Sequence, residues 1–280
     1  MNIPDGRKLY KDHWIGWNKG VEVDLKKHNQ PVSYCGNCEI GVLVIHGITS
    51  TTSSMKYLAD KFVEAGFHVE LPSLPGHGTV WQDLNKVTYH DWLNTLEESL
   101  KKLQERSKYI FVCGLSLGGA LALRMAQLHP EISGMILINH ACKFTHPKFW
   151  FVPFMRHFIP STPAVASDIK DPAEKEIAYK RTPTNAVYQM LLMLKEIRKA
   201  LPKTKQPVII FKSREDHVVP KISATYTVEN IASKQKEIFW LENSYHVATI
   251  DFEKDLLANK SIEFIRNYVL NVKEDRPLLH

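Results

Sequence analysis

From residue 41 onward, short apolar runs of strand formers alternate with longer stretches of helical periodicity, and this alternation constrains the fold more than any other feature. GVLVIHG (41–47), FHVELP (67–72), YIFVCG (109–114), GMILIN (134–139), PVIIFKS (207–213) and KEIFWLE (236–242) read as buried strands. Helical patterns follow them: SSMKYLADKFVEAG, stopped by Gly66; HDWLNTLEESLKKLQER, with Trp92, Leu96, Leu100 and Leu103 on one face; the stretch after Ser116; ISATYTVENIAS; and KDLLANKSIEFIRNYVLNV. Apolar strands, each returned by a helix, predict an α/β fold with a mostly parallel central sheet and helices on both faces. One stretch breaks the series. Residues 143–205 hold prolines, aromatics and one strong helix but no clear strand. They read as a cap inserted into a single domain made of residues 41–142 and 206–280, with residues 1–40 as an N-terminal extension.

In FVCGLSLGGALAL (111–123), Gly114 and Gly118 flank Ser116 where strand formers give way to helix formers. Glycines remove the β-carbons that would clash in so tight a turn, which presents Ser116 as a nucleophile; the same residues also fit a helix N-cap serine beside packing glycines. A serine hydroxyl is a weak nucleophile at neutral pH and needs a general base, itself held by an acid. Functional loops of an open parallel sheet follow the carboxyl ends of strands, which points to SREDHVVP and NSYHVATI. Beyond the insertion, His280 is the last residue and His217 adjoins the acid candidates, leaving His246 as the base. Asp216, leading into VVP, is the favoured acid, with Glu215 as the fallback. An oxyanion would be held by the backbone N–H groups of Leu117, at the helix start, and Ile48, in the loop HGITS. His46 reads as a brace for that loop, and His77 in LPGHGT as structural.

Composition narrows the classes of function. The net charge of +6 is spread along the 280 residues and not gathered in one block, so nucleic-acid binding is not expected. No run approaches the ~18 apolar residues of a membrane span, and the first residues lack an apolar leader pattern, so a cytoplasmic location is expected. Cys113 and Cys142 read as core thiols. C-G-N-C, residues 35–38, reads as a hairpin turn around Gly36 and Asn37; a redox pair or half a zinc site are its rivals, and no second C-x-x-C completes the latter. No metal or organic cofactor is expected.

HGITSTTSSM, LPSLPGHGT, HDW, GLSLGG, SDIK, SREDHVVP and NSYHVATID are collinear, and together they resemble the α/β-hydrolase superfamily over about residues 40–270. More narrowly, they are similar to small bacterial carboxylesterases and monoacylglycerol lipases. The resemblance implies the α/β-hydrolase fold, a triad of Ser116, Asp216 and His246, an oxyanion hole of Ile48 and Leu117, and ester cleavage through an acyl-enzyme. It also implies, through LIN, AVASDIK and KEIAY, that Asn139, Val165 and Glu176 bind substrate. The implied substrate is a short- to medium-chain monoacylglycerol, with a general short-chain carboxylesterase as the alternative. A ligand-binding homologue with slow turnover is the reading from another class. The aromatics of KFWFVPFMRHF, with Met190, Leu191 and Leu194, are expected to line an apolar pocket, and contact with a lipid surface through the cap is expected to be at most transient. That aromatic run and the long N-terminal segment, with Trp14 and Trp17, depart from the family pattern.

Overall fold

Among the residues described by this computed structural model, 24–164 and 167–274, seven strands form one sheet in the order β1-β3-β2-β4-β5-β8-β9. In chain order the strands are β1 (Val32–Tyr34), β2 (Ile40–Ile45), β3 (His68–Leu71), β4 (Tyr109–Leu115), β5 (Gly134–Ile138), β6 (Ser161–Pro163), β7 (Arg181–Pro183), β8 (Val208–Ser213) and β9 (Lys236–Leu241). All pairs in the large sheet are parallel except β1 with β3. The register pairs Ile45 with Gly114, Leu115 with Ile138, and Ser213 with Leu241, so the carboxyl ends of five strands reach one edge. The expectations placed on Trp14, Trp17, Val165 and His280 lie outside the described residues.

Side chains alternate across the sheet with the period of two that a pleated strand imposes. Leu43, Ile45, Val112 and Leu137 face α4 (Tyr89–Gln104) and α5 (Leu117–Leu128), whereas Val42, Val44, Phe111 and Ile136 face α2 (Ser53–Glu64) and α9 (Lys254–Glu274). Each large aliphatic or aromatic side chain buried in this way stabilises the fold by roughly 1.5–3 kcal/mol. The helix α4 opens with a capping box between Thr88 and Asp91 and buries Trp92, Leu96, Leu100 and Leu103. The remaining helices are the short α1 (Leu25–His28) and α3 (Trp81–Leu84), then α6 (Lys148–Met155), α7 (Thr184–Ala200) and α8 (Ile222–Asn230).

Three features depart from the sequence reading. C-G-N-C is not a hairpin turn, because β3 lies between the strands on either side of it. The segment crosses the end of β3, where Asn37 N–H donates to the Gly66 carbonyl at 3.0 Å and a β-carbon on Gly36 would lie 2.3 Å from that oxygen. Both thiols are free. Second, the insertion contains strands: β6 pairs antiparallel with β7 through three residues each, too few for a periodic signal, and prolines end both. Third, KFWFVP forms α6 despite Pro153, and the face expected to line a pocket points outward. Trp150, Phe151, Phe154 and Phe158 are 78%, 61%, 67% and 69% exposed, and Val152 is the buried residue of the helix. In contrast, α7 sends Met193, Leu194 and Ile197 into the same core that α4 and α5 fill.

Candidate functional site

Ser116 follows the last residue of β4 and precedes the first of α5. Its backbone has φ 57° and ψ −115°, a left-handed conformation that only a rigid surround maintains. That surround explains both glycines. A β-carbon on Gly114 would lie 2.2 Å from the Gly118 backbone, and one on Gly118 would lie 2.2 Å from the Ile45 carbonyl. Ser116 N–H donates to the Ile138 carbonyl at 2.9 Å, and the Ser116 carbonyl accepts from Ala120 and Ala141. The hydroxyl sits on a residue 7% exposed and makes no hydrogen bond to another described residue, His246 included.

Asp216 and His246 are brought together, as their loop positions suggest. His246 Nδ1 lies 3.1 Å from the Asp216 carboxylate. Asp216 Oδ1 accepts from the N–H groups of Val218 and Val219 at 2.9 Å each, which explains why VVP follows the acid. Oδ2 is bonded to Lys212 Nζ. Burial alone would raise the Asp216 carboxyl, but the charges and hydrogen bonds of His246 and Lys212 outweigh it and hold the group well below the usual carboxylate range. Glu215 is exposed and faces Lys170 at 3.6 Å. His217 Nδ1 bonds Asp168 at 2.7 Å and turns away from Asp216.

His46 donates from Nδ1 to the Gly47 carbonyl at 3.0 Å, and its Nε2 accepts from Leu74 N–H at 3.2 Å. The ring therefore ties the loop after β2 to the loop after β3. Burial pulls His46 down to about 4, so it is neutral at pH 7, as that accepting Nε2 requires. His77 packs edge-on against it, with ring centroids 4.8 Å apart. Thr49, at φ 61°, accepts from Tyr179 N–H at 2.9 Å, which fastens the insertion to the same loop. The N–H groups of Ile48 and Leu117 make no hydrogen bond to another described residue, and thus remain available donors.

Asn139, Val165 and Glu176 are the residues expected to bind substrate. Asn139 is 0% exposed, and its amide is bonded to the protein: Nδ2 donates to Ser213 Oγ and to the Tyr245 and His246 carbonyls, while Oδ1 accepts from Ser213 N–H. These hydrogen bonds give the side chain a part in positioning the His246 loop. Two hydrogen bonds, Ser116 N–H to Ile138 and Asn139 to His246, link the serine turn to the histidine loop. Glu176 is buried, with Oε2 accepting from Ser167 N–H at 2.9 Å. Val165 lies outside the described residues.

Three carboxylate or ammonium groups at this edge escaped the sequence reading. Asp168 accepts from the N–H groups of His217 and His246, so the insertion braces both loops. Asp251, fully buried, accepts from Lys170, Asp171, Tyr245 and Phe252 N–H groups. Lys212 left a visible signal, a lysine directly after the apolar run VIIF within a buried strand, whereas a bracing aspartate in a loop leaves none.

The family model described as Serine aminopeptidase, S33, matches residues 38–255. A thermostable monoacylglycerol lipase from a Bacillus species is 39% identical over 237 residues, covering 84% of this chain and 94% of the relative. A carboxylesterase of Bacillus subtilis is 26% identical, covering 84% of this chain and 96% of its own length. A solved structure from a study of two metagenome-derived lipolytic enzymes superposes with a TM-score of 0.83 at 38% identity, covering 86% of this chain and 98% of that one. With that sheet order, a serine at the turn between β4 and α5, and a family match over residues 38–255, the chain belongs to the serine hydrolases of the α/β-hydrolase superfamily.

Proposed function

We propose that this chain is a serine ester hydrolase that cleaves short- to medium-chain monoacylglycerols, with Ser116, Asp216 and His246 as its triad and residues 143–205 as a cap over the site. The observation that carries the mechanism is the buried Asp216–His246 hydrogen bond at the sheet edge where Ser116 occupies its left-handed turn. Asp216, ionised throughout the neutral range, fixes the proton on His246 Nδ1 and leaves Nε2 to take the proton of Ser116 Oγ. Oγ attacks the ester carbonyl, and the N–H groups of Ile48 and Leu117 hold the oxyanion. Collapse breaks the bond to the alcohol, which leaves with the proton from His246. Water then attacks the acyl-enzyme by the same route and releases the acid and Ser116. Hydrogen bonds between nucleophile and base are often long without substrate, so the unpartnered hydroxyl is compatible with this role.

The substrate class rests on the 39% identical relative that is named a monoacylglycerol lipase. Glu176 is proposed as a contact for the glycerol hydroxyls, since Oε1 has no partner among the described residues. Asn139 and Val165 remain proposed as substrate-binding residues by the family resemblance alone. The outward aromatic face of α6 supports transient contact with a lipid surface. Among the described residues no helix is long and apolar enough to cross a membrane. We further propose a cytoplasmic site of action, which four free cysteines support. The general carboxylesterase remains the second reading, favoured by the Bacillus subtilis relative.

Chain-length dependence separates the two. Each buried methylene is worth about 0.8 kcal/mol, so four of them raise kcat/KM by about two orders of magnitude if the gain appears in the transition state. Specificity constants should climb from glycerol monoacetate to medium-chain monoacylglycerols. A maximum at acetyl or propionyl would leave the carboxylesterase reading standing.

A further inference from the structure

One charged side chain in the core has no part in the mechanism above. Lys212 lies in β8 among Ile210, Phe211 and Ser213 and is 0% exposed, although a four-carbon stem ordinarily carries its ammonium to water. Its Nζ donates instead to the Asp216 carboxylate and, at 2.8 Å, to the Val219 carbonyl. Asp216 Oδ2 is thus shared between a fixed ammonium and an imidazole that becomes cationic whenever it takes a proton. We propose that Lys212 is a positioning residue that acts on His246 through Asp216, fixing the rotation of the carboxylate and offsetting its charge so that the imidazole stays in its neutral, proton-accepting form. The inference rests on the reading of Ser116, Asp216 and His246 as a triad.

The direction follows from counting charge where the side chains of Lys212 and Asp216 are withdrawn from solvent and that of His246 is 8% exposed. With Lys212 present, Lys212, Asp216 and a neutral His246 sum to zero, and protonating the imidazole leaves a buried net positive charge. Without Lys212 the same protonation cancels the negative charge of Asp216. Burial favours whichever state carries less net charge, so Lys212 resists protonation of His246. The other groups facing this cluster are Asp168, Lys221 and His140, each within electrostatic reach of the ammonium, and His217, which bonds Asp168. Replacing Lys212 changes none of these side chains.

Lys212→Met tests the proposal, with the pH profile of kcat/KM on a short-chain ester and an NMR titration of the His246 ring as the two readouts. The acid limb of the profile and the ring midpoint should both move to higher pH by about one unit, while KM stays level and the plateau falls by no more than roughly tenfold. Lys212→Arg should return the limb toward its original position. A limb and midpoint that stay in place, or move to lower pH, would overturn the proposal and make the lysine structural. If Lys212→Met does not fold, Lys212→Gln is read by the same criteria, and failure of both neutral variants to fold also counts against it. The ring titration separates the two layers of argument. A shifted midpoint in a chain without Ser116-dependent hydrolysis sinks the triad and spares the electrostatics, whereas hydrolysis with an unmoved midpoint does the reverse.

Discussion

The carboxyl edge of the sheet and the outer face of α6 belong to one chain and obey opposite rules. At the edge, Asn139 and Asp251 are fully buried, the Asp216 side chain is shielded from solvent, and their polar atoms are bonded to named partners. On α6, the aromatic side chains of Trp150, Phe151 and Phe154 stand in solvent, as does Phe158 just beyond the helix, and Val152 is the buried residue that holds it down. Buried polar networks give a unique geometry only when every member is satisfied, because an unpaired buried group costs about 1–3 kcal/mol. Exposed apolar groups cost little and adapt to what they touch. The contrast teaches that the proposed chemistry rests on the satisfied polar network and the proposed lipid contact on the exposed aromatic face.

The comparison breaks most sharply at Ser116. Ser116→Ala should reduce ester turnover by at least about 10⁴-fold with an unchanged melting temperature, measured by hydrolysis and thermal unfolding of the same sample. Activity near that of the native chain would remove the mechanism. Next, Asp216→Asn should lower kcat by roughly 10³- to 10⁴-fold, whereas Glu215→Gln, exposed beside Lys170, should change it less than about twofold. A reversal of the two would move the acid by one residue.

Acid offers a third way to break the edge. Burial pulls His46 to about 4, and His77 and His140 each to about 3, so all three stay neutral in the folded chain while the unfolded chain protonates near 6.5. The unfolded state then binds more protons between pH 6.5 and 4, and stability falls as pH falls through that window. The loss should approach ~1.4 kcal/mol per pH unit for each histidine, read from urea unfolding at pH 7, 6 and 5. A flat profile would mean that these rings charge in the folded state. Asn139→Ala should cost roughly 2–3 kcal/mol, since it strands Ser213 N–H and loosens the His246 loop, and kcat should drop while KM holds. The smallest effect belongs to the cap face. Trp150→Ser and Phe154→Ser should alter stability by less than about 0.5 kcal/mol and leave short, dissolved esters unaffected, yet weaken turnover of emulsified monoacylglycerol. Equal losses on both substrates would show that α6 shapes the pocket itself.

Much of this was legible in the chain because strands buried on both faces must be written in uninterrupted apolar residues, and GVLVIHG, YIFVCG and PVIIFKS leave little freedom. Gly114 and Gly118 announced the turn, since no other residue fits against Gly118 and Ile45. The loop positions of Asp216 and His246 followed from strand order in sequence alone. The bonds of Asn139 to Ser213, Tyr245 and His246 were not legible, because one residue type serves equally as a clamp or a ligand contact and its partners lie far away in the chain. C-G-N-C was misread because pairing of β1 with β3, and not with β2, is a long-range choice that leaves no local mark.

What the sequence by itself determined, then, is the local structure: where strands end, where the chain needs glycine, and which side chains stand in loops at one edge. Periodicity and turn chemistry are short-range, and a dozen residues suffice to express them. What only the tertiary structure decided is the set of contacts between loops far apart in the chain. Asp168 under His246, Lys212 against Asp216 and Asn139 across to Tyr245 exist because separate strands were brought to a common edge. A buried polar atom must find a partner wherever the fold supplies one, and that partner's number in the sequence is set by packing and by nothing in its own neighbourhood.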